Sequence, residues 1–304
     1  MSTRPITVAV SGEERAALTY AAAEARRTGD GLRLVHVIDP LVIAGTPLGG
    51  YVPGDDFEQT AWQIVERAEA IIRSTTDEPL AVEKVVRRGA AAYVLIEESK
   101  TSRLVVLEHR ALSRLTRIFT GSTSTTVAAR AECPVVSVPE SWQPGDDERV
   151  VVGVDETGGP EAALVAAFEE AAARSAVVCA THAWQLAGPY DRVDLRGSLE
   201  AEWRDRTHPA VEQAVERWAQ KHPQLRTSVE LRYEKPADAL AGASRDASLL
   251  VLGRRTRLGW LRIGSLARTM IRVAECPVMV VPVPDLPVAA EDWALDSDEL
   301  SPEA

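Results

Sequence analysis

The sequence predicts an α/β chain of two tandem doubly wound domains, each on a five-stranded parallel sheet, and three observations predict it. The first is a repeat. Thr120-Gly121-Ser122, a short helical stretch and Ala131-Glu132-Cys133-Pro134-Val135 return as Ile263-Gly264-Ser265, a second helical stretch and Ala274-Glu275-Cys276-Pro277-Val278. Val10 with Val154, His36 with His182, Leu104 with Leu249, and Cys133 with Cys276 keep the same separation to within three residues, so one fold is written twice. The second is an alternation of short β-branched runs with longer helical patterns, which implies parallel strands joined by helical crossovers. The third is length, since 304 residues suit two domains of about 150 each.

The elements follow in order. Ile6 to Val10 is a short strand, and Ser11 to Glu14 reads as a capping box that opens an alanine-rich helix ending at Gly29-Asp30-Gly31. Leu32 to Ile38 is the second strand, and Asp39 to Asp55, rich in Gly and Pro, is a long loop. Phe57, Ala61, Ile64, Val65, Ala68, Ile71 and Ile72 share one face of the next helix. Val82 to Val86 is strand three, Ala90 to Lys100 a helix, Leu104 to Leu107 strand four, Ser122 to Ala131 a helix and Pro134 to Val138 strand five. The cycle restarts at Val150 to Val154, with helices expected near Pro160 to Arg174, Leu195 to Lys221, Pro236 to Asp246 and Ser265 to Ala274. Pro160 suits a first helical position, where the missing N–H costs nothing. The expected boundaries are 1–139 for the first domain, 140–149 for a polar linker, 150–284 for the second domain and 285–304 for an acidic, mobile tail.

Composition narrows the function classes. A net charge of −11 opposes general nucleic-acid binding, which needs a basic footprint. Cys133, Cys179 and Cys276 form no C-x-x-C pair and no disulfide framework. The N-terminal stretch lacks the apolar core of a signal peptide, and no apolar run is long enough to span a bilayer, so a cytoplasmic, membrane-free protein is expected.

Chemistry is expected beyond the carboxyl ends of the strands, where ligands sit in open parallel sheets. In both copies the loop after strand four leads through Gly121-Ser122 or Gly264-Ser265 into a helix start. A helix start offers unpaired N–H groups and partial positive charge, so it suits an anion such as phosphate. Ser122 and Ser265 are equally good N-cap residues, and the pattern alone leaves both readings open. His36 and His182, at equivalent strand-two ends, have no nucleophile or carboxylate partner in the pattern and read as structural. Cys133 and Cys276 read as small packing residues, Trp184, Trp203 and Trp218 as core or interface, and Trp260 as a lid, a partner contact or a packing residue.

On the strand-four runs, the Gly-Ser pairs and the Cys-Pro-Val strand-five starts, each copy resembles a universal stress protein domain, and the chain resembles the tandem members of that family. The resemblance implies a Rossmann-like, adenine nucleotide alpha hydrolase-like fold whose halves pack as an intramolecular pseudo-dimer through Val135 to Val138 and Val278 to Val283, with room for a further homodimer. It also implies a loop of glycine, two residues, glycine, nine residues, then glycine with Ser or Thr around the phosphates of ATP, and an aspartate after strand one. In copy one Glu108, Ala111 and Gly121 occupy the glycine positions and Ser11 replaces the aspartate, so only Gly121 and Ser122 match. Copy two keeps Asp155, Gly253, Gly264 and Ser265, with Thr256 at the middle glycine and a loop two residues short. Arg254, Arg255, Arg257 and Arg262 fill that loop and are expected either to supply charged hydrogen bonds to phosphate or to form a solvated basic surface. ATP with Mg²⁺ in the second domain is therefore the expected cofactor, with an unidentified protein partner downstream. The alternative is a nucleotide-independent scaffold of the same fold. No Walker-type motif and no catalytic base are present, so at most weak ATP hydrolysis is expected.

Overall fold

Runs of Val, Ile and Leu pair into one continuous sheet in the computed structural model, which describes residues 4–12, 14–39, 54–75, 79–109, 121–145, 149–155, 161–185, 196–254 and 264–282. The first half comprises β1 (Ile6–Ala9), α1 (Arg15–Thr28), β2 (Leu32–Ile38), α2 (Gly54–Thr75), β3 (Val82–Arg88), α3 (Ala91–Ser99), β4 (Leu104–His109), α4 (Gly121–Arg130) and β5 (Val135–Pro139). The second half repeats the plan with β6 (Arg149–Gly153), α5 (Glu161–Arg174), β7 (Val177–Ala183), α6 (Arg196–Ala219), β8 (Thr227–Arg232), α7 (Pro236–Ala243), β9 (Leu249–Arg254), α8 (Ser265–Val273) and β10 (Val278–Pro282). The expected helix to Asp246 is split: α7 stops at Ala243 and Ser244–Asp246 tightens into a 3₁₀ turn. The expected tail, 285–304, lies outside the described residues.

Ten strands run in the order β3-β2-β1-β4-β5-β10-β9-β6-β7-β8. Every neighbouring pair within a half is parallel. The seam is antiparallel, with Val278 opposite Ser137, Met279 opposite Val136 and Val280 opposite Val135. These residues lie in the two valine-rich segments that the resemblance implies should pair. Both faces of the sheet are apolar, as a parallel sheet under helices requires. On the face covered by α1, α2, α5 and α6, Val8 and Val106 share one buried cluster with Val152 and Val251. On the opposite face, under α3, α4, α7 and α8, Val105 and Val135 join Val151 and Val280. Each core therefore crosses the seam.

A buried ionic cluster adds polar specificity where α1 meets α5. Glu24 is fully buried, with Arg174 Nη2 at 3.1 Å from one carboxylate oxygen and Arg103 Nη2 at 3.0 Å from the other. Arg27 also pairs with Glu24, and Arg174 reaches both Glu170 and the Tyr20 hydroxyl. Burial penalises the Glu24 charge, but Arg174, Arg27 and Arg103 together hold its carboxyl below the usual range. Burial and the Glu24 charge push Glu170 the other way. Removing one partner from such a cluster costs about 3–5 kcal/mol, because the remaining charges stay buried.

Candidate ligand cavities at the strand ends

The two halves open equivalent cavities beyond the carboxyl ends of their strands. The second-half cavity, about 300 Å³, lies between the exits of β6, β7 and β9 and the starts of α7 and α8. Asp155, Gly253, Gly264 and Ser265 all line it, so four of the residues singled out by pattern come together. Leu240, Leu252 and Ala183 supply apolar wall. Gly153 makes this edge possible: a Cβ there would meet Leu252 Cδ2 at 2.6 Å and Leu240 Cδ1 at 3.3 Å.

At the polar end stands the N-terminus of α8. Its N-cap is Gly264, in an extended conformation, a residue with no side chain of its own to cap the helix. Ser265 is thus the first helical residue and not the cap that its type suggested. An α-helix leaves its first N–H groups without intrahelical partners, and these carry the positive end of the helix dipole. The nine-residue helix presents that end at the cavity wall through Gly264, Ser265 and Leu266.

Arg254 is directed elsewhere. Its side chain is buried at the seam, where Nη1 donates to the main-chain oxygen of Ala131 at 2.7 Å, and it does not line the cavity. Arg255, Thr256, Arg257, Trp260 and Arg262 lie outside the described residues, as does Ala111.

The first-half cavity is nearly as large, about 280 Å³, but its polar wall is acidic. Glu14 and Glu108 line it together with Ser11, Thr123 and Ser124, and no Lys or Arg does so among the described residues. The expected capping box forms in half. Helix α1 starts at Arg15 with Glu14 at the N-cap, and the Glu14 side chain makes no cap bond to the helix. The Glu14 carboxylate does reach back to the N–H of Ser11 at 2.9 Å, and it also accepts from the N–H of Gly12 at 2.8 Å and from the Ser11 hydroxyl. Gly12 takes a φ of 130°, a conformation open to glycine, to make this tight return. Burial opposes the Glu14 charge, but these hydrogen bonds hold its carboxyl below the usual range. The start of α1 is served from a distance, because Ala17 N–H donates to Glu108 at 3.1 Å. Burial and the nearby Glu14 charge push the Glu108 carboxyl up.

The chain's own carboxylates therefore take N–H groups of the β1 exit and the α1 start, and they set two negative charges on the wall of this cavity. Helix α4 does begin at Gly121, so Gly121-Ser122 stands at a helix start as the repeat implies, while Thr123 and Ser124 are the described residues of α4 that line the cavity.

Both histidines act as braces. His36 Nδ1 donates to Val10 O at 2.8 Å and His182 Nδ1 to Val154 O at 2.9 Å, tying each second strand to the exit of the first. Trp184 stacks on Trp203 with centroids 5.6 Å apart and meets Tyr233 edge-on at 5.4 Å, a cluster beside the exits of β7 and β8. Cys133 and Cys276 are buried, and burial pushes the Cys133 thiol up to about 12, far from a reactive thiolate. No helix among the described residues is long and apolar enough to cross a membrane.

The family model described as "Universal stress protein family" matches residues 2–139 and again 148–282. A universal stress protein of Mycolicibacterium smegmatis is 30% identical over 279 residues, spanning 89% of this chain and 94% of that one. One from Mycobacterium tuberculosis is 28% identical over 309 residues, spanning 93% and 96%. The crystal structure of a universal stress protein from Archaeoglobus fulgidus superposes with a TM-score of 0.65 at 17% identity, covering 93% of this chain and 98% of that one, a likeness of fold.

Proposed function

The chain belongs to the universal stress protein family, and from that premise we propose that its second domain binds an adenine nucleotide and presents the bound state to protein partners in a stress response. The observation that carries this reading is the glycine-led start of α8 at the wall of the second cavity. Phosphate oxygens accept from its first N–H groups and from the Ser265 hydroxyl, and the absence of a side chain at Gly253 and Gly264 lets the backbone approach them closely. The apolar wall of Ala183 and Leu240 takes the base and sugar, with Asp155 as acceptor for their hydroxyl or amine donors. With ATP, Mg²⁺ enters as the nucleotide's counter-ion.

Titration calorimetry of the full chain with Mg²⁺–ATP tests this. One site per chain is the expected result, and no heat at millimolar nucleotide would refute it. The second reading, a scaffold of the same fold that works without nucleotide, draws on the two carboxylates that line the first cavity. It requires thermal midpoints that no nucleotide shifts, since a ligand that binds only the native state raises stability.

A further inference from the structure

Each cavity-edge strand is followed across the seam by a residue that grips the other half's helix. In β9, Gly253 lines the second cavity and the next residue, Arg254, donates to Ala131 O at the C-terminal end of α4. In β4, Glu108 lines the first cavity and the next residue, His109, lies against the main chain of Arg272 in the last turn of α8. The two residues are counterparts in the repeat: His109 pairs in register with Pro139 and Arg254 with Pro282. A main-chain oxygen near a helix C-terminus accepts no intrahelical bond, so a cationic or polar donor from outside satisfies it and complements the helix dipole. Helices α4 and α8 are short rods of ten and nine residues packed on each other, and the start of each borders its own cavity. A short helix held at its far end by the partner half moves with that half.

We propose that Arg254 and His109 form a reciprocal brace that couples the two cavities, so that ordering of the β9 exit by a ligand in the second domain is transmitted to α4 of the first. The first domain, whose own cavity is lined by carboxylates, then serves as the reader of the second. Arg254 is a positioning residue in this scheme, acting through Ala131 and α4, and the ligand part of the test rests on the nucleotide reading above. The coupling has a defined physical carrier, two rods in contact with the Arg254 hydrogen bond at one crossed end and His109 against the other.

Hydrogen–deuterium exchange on the full-length chain tests it, using wild type, Arg254→Met and Arg254→Lys. Without ligand, amides of residues 127–131 are expected to exchange about tenfold faster in Arg254→Met, the scale of one lost charged hydrogen bond. Arg254→Lys, which keeps a cationic donor, is expected to recover most of that protection. With Mg²⁺–ATP, wild type is expected to gain protection in both 264–273 and 121–131, and Arg254→Met in 264–273 only. Unchanged exchange at 127–131 in ligand-free Arg254→Met overturns the coupling. So does ATP protection of 264–273 in wild type that leaves 121–131 unaltered, an outcome that keeps the nucleotide site. Protection of neither segment defeats the nucleotide reading, and the ligand-free comparison then decides the brace by itself.

Discussion

The two cavities have nearly equal volumes and the same position in the fold, yet their polar walls carry opposite character. In the second, Gly253 and Gly264 bring main chain and the start of α8 to the cavity wall beside one carboxylate, Asp155. In the first, the same strand exit carries Glu108 in place of Gly253, and the carboxylates of Glu108 and Glu14 accept the N–H groups of Ala17, Ser11 and Gly12. What separates them is not volume but the side chain at the strand-four exit, a carboxylate in one half and none in the other.

Exchanging that residue gives the largest expected effect. Gly253→Glu installs the first domain's carboxylate in the second cavity and is expected to weaken ATP binding at least about a hundredfold, about 2.7 kcal/mol, through like-charge repulsion. Calorimetry measures it, and a thermal melt matching wild type shows that the fold is retained. Binding unchanged in Gly253→Glu would remove the contrast between the cavities. Next in size is Ser265→Ala, which deletes one hydroxyl donor at the α8 start and is expected to weaken ATP binding about threefold to tenfold. Ser124→Ala, at a serine that lines the first cavity, is expected to leave the same titration untouched. Equal losses from both would place nucleotide in both halves.

The smallest effect is a pH dependence. Glu108 binds its proton more tightly in the folded chain than the ordinary carboxyl value of 4.5. A group whose folded pKa is raised holds excess proton between its two pKa values, so the folded state loses relative stability as pH rises from 4.5 through that window. Glu108→Gln removes this contribution. Its curve of unfolding free energy against pH is expected to fall less than that of wild type between pH 4.5 and neutrality. The residual slope belongs in part to Glu170, whose carboxyl is raised in the same direction. A curve parallel to wild type would show that Glu108 is not held in a costly charged form.

The fold was legible because its signals are local or periodic. Runs such as Leu104 to Leu107 are buried on both faces, and the repeated Cys-Pro-Val marks the start of each seam strand. Asp155, Gly253, Gly264 and Ser265 were legible for the same reason, since each stands at a strand exit or helix start. The acidic wall was only half visible. An S-x-x-E pattern predicts the Glu14 bond to the Ser11 N–H but not its second bond, to the N–H of Gly12. Glu108 serves an amide 91 positions away, beyond any spacing argument. Arg254 shows the third kind of limit. An arginine beside a cavity glycine reads as an anion ligand until the antiparallel seam is known to set it against the end of another helix.

That seam has one more consequence. Because β5 and β10 run in opposite directions, the second half is turned end over end relative to the first, and the carboxyl ends of its strands lie on the opposite border of the sheet. The two cavity mouths therefore look away from each other. The ten-stranded sheet stands between them, so the two openings face solvent on opposite sides of one shared core.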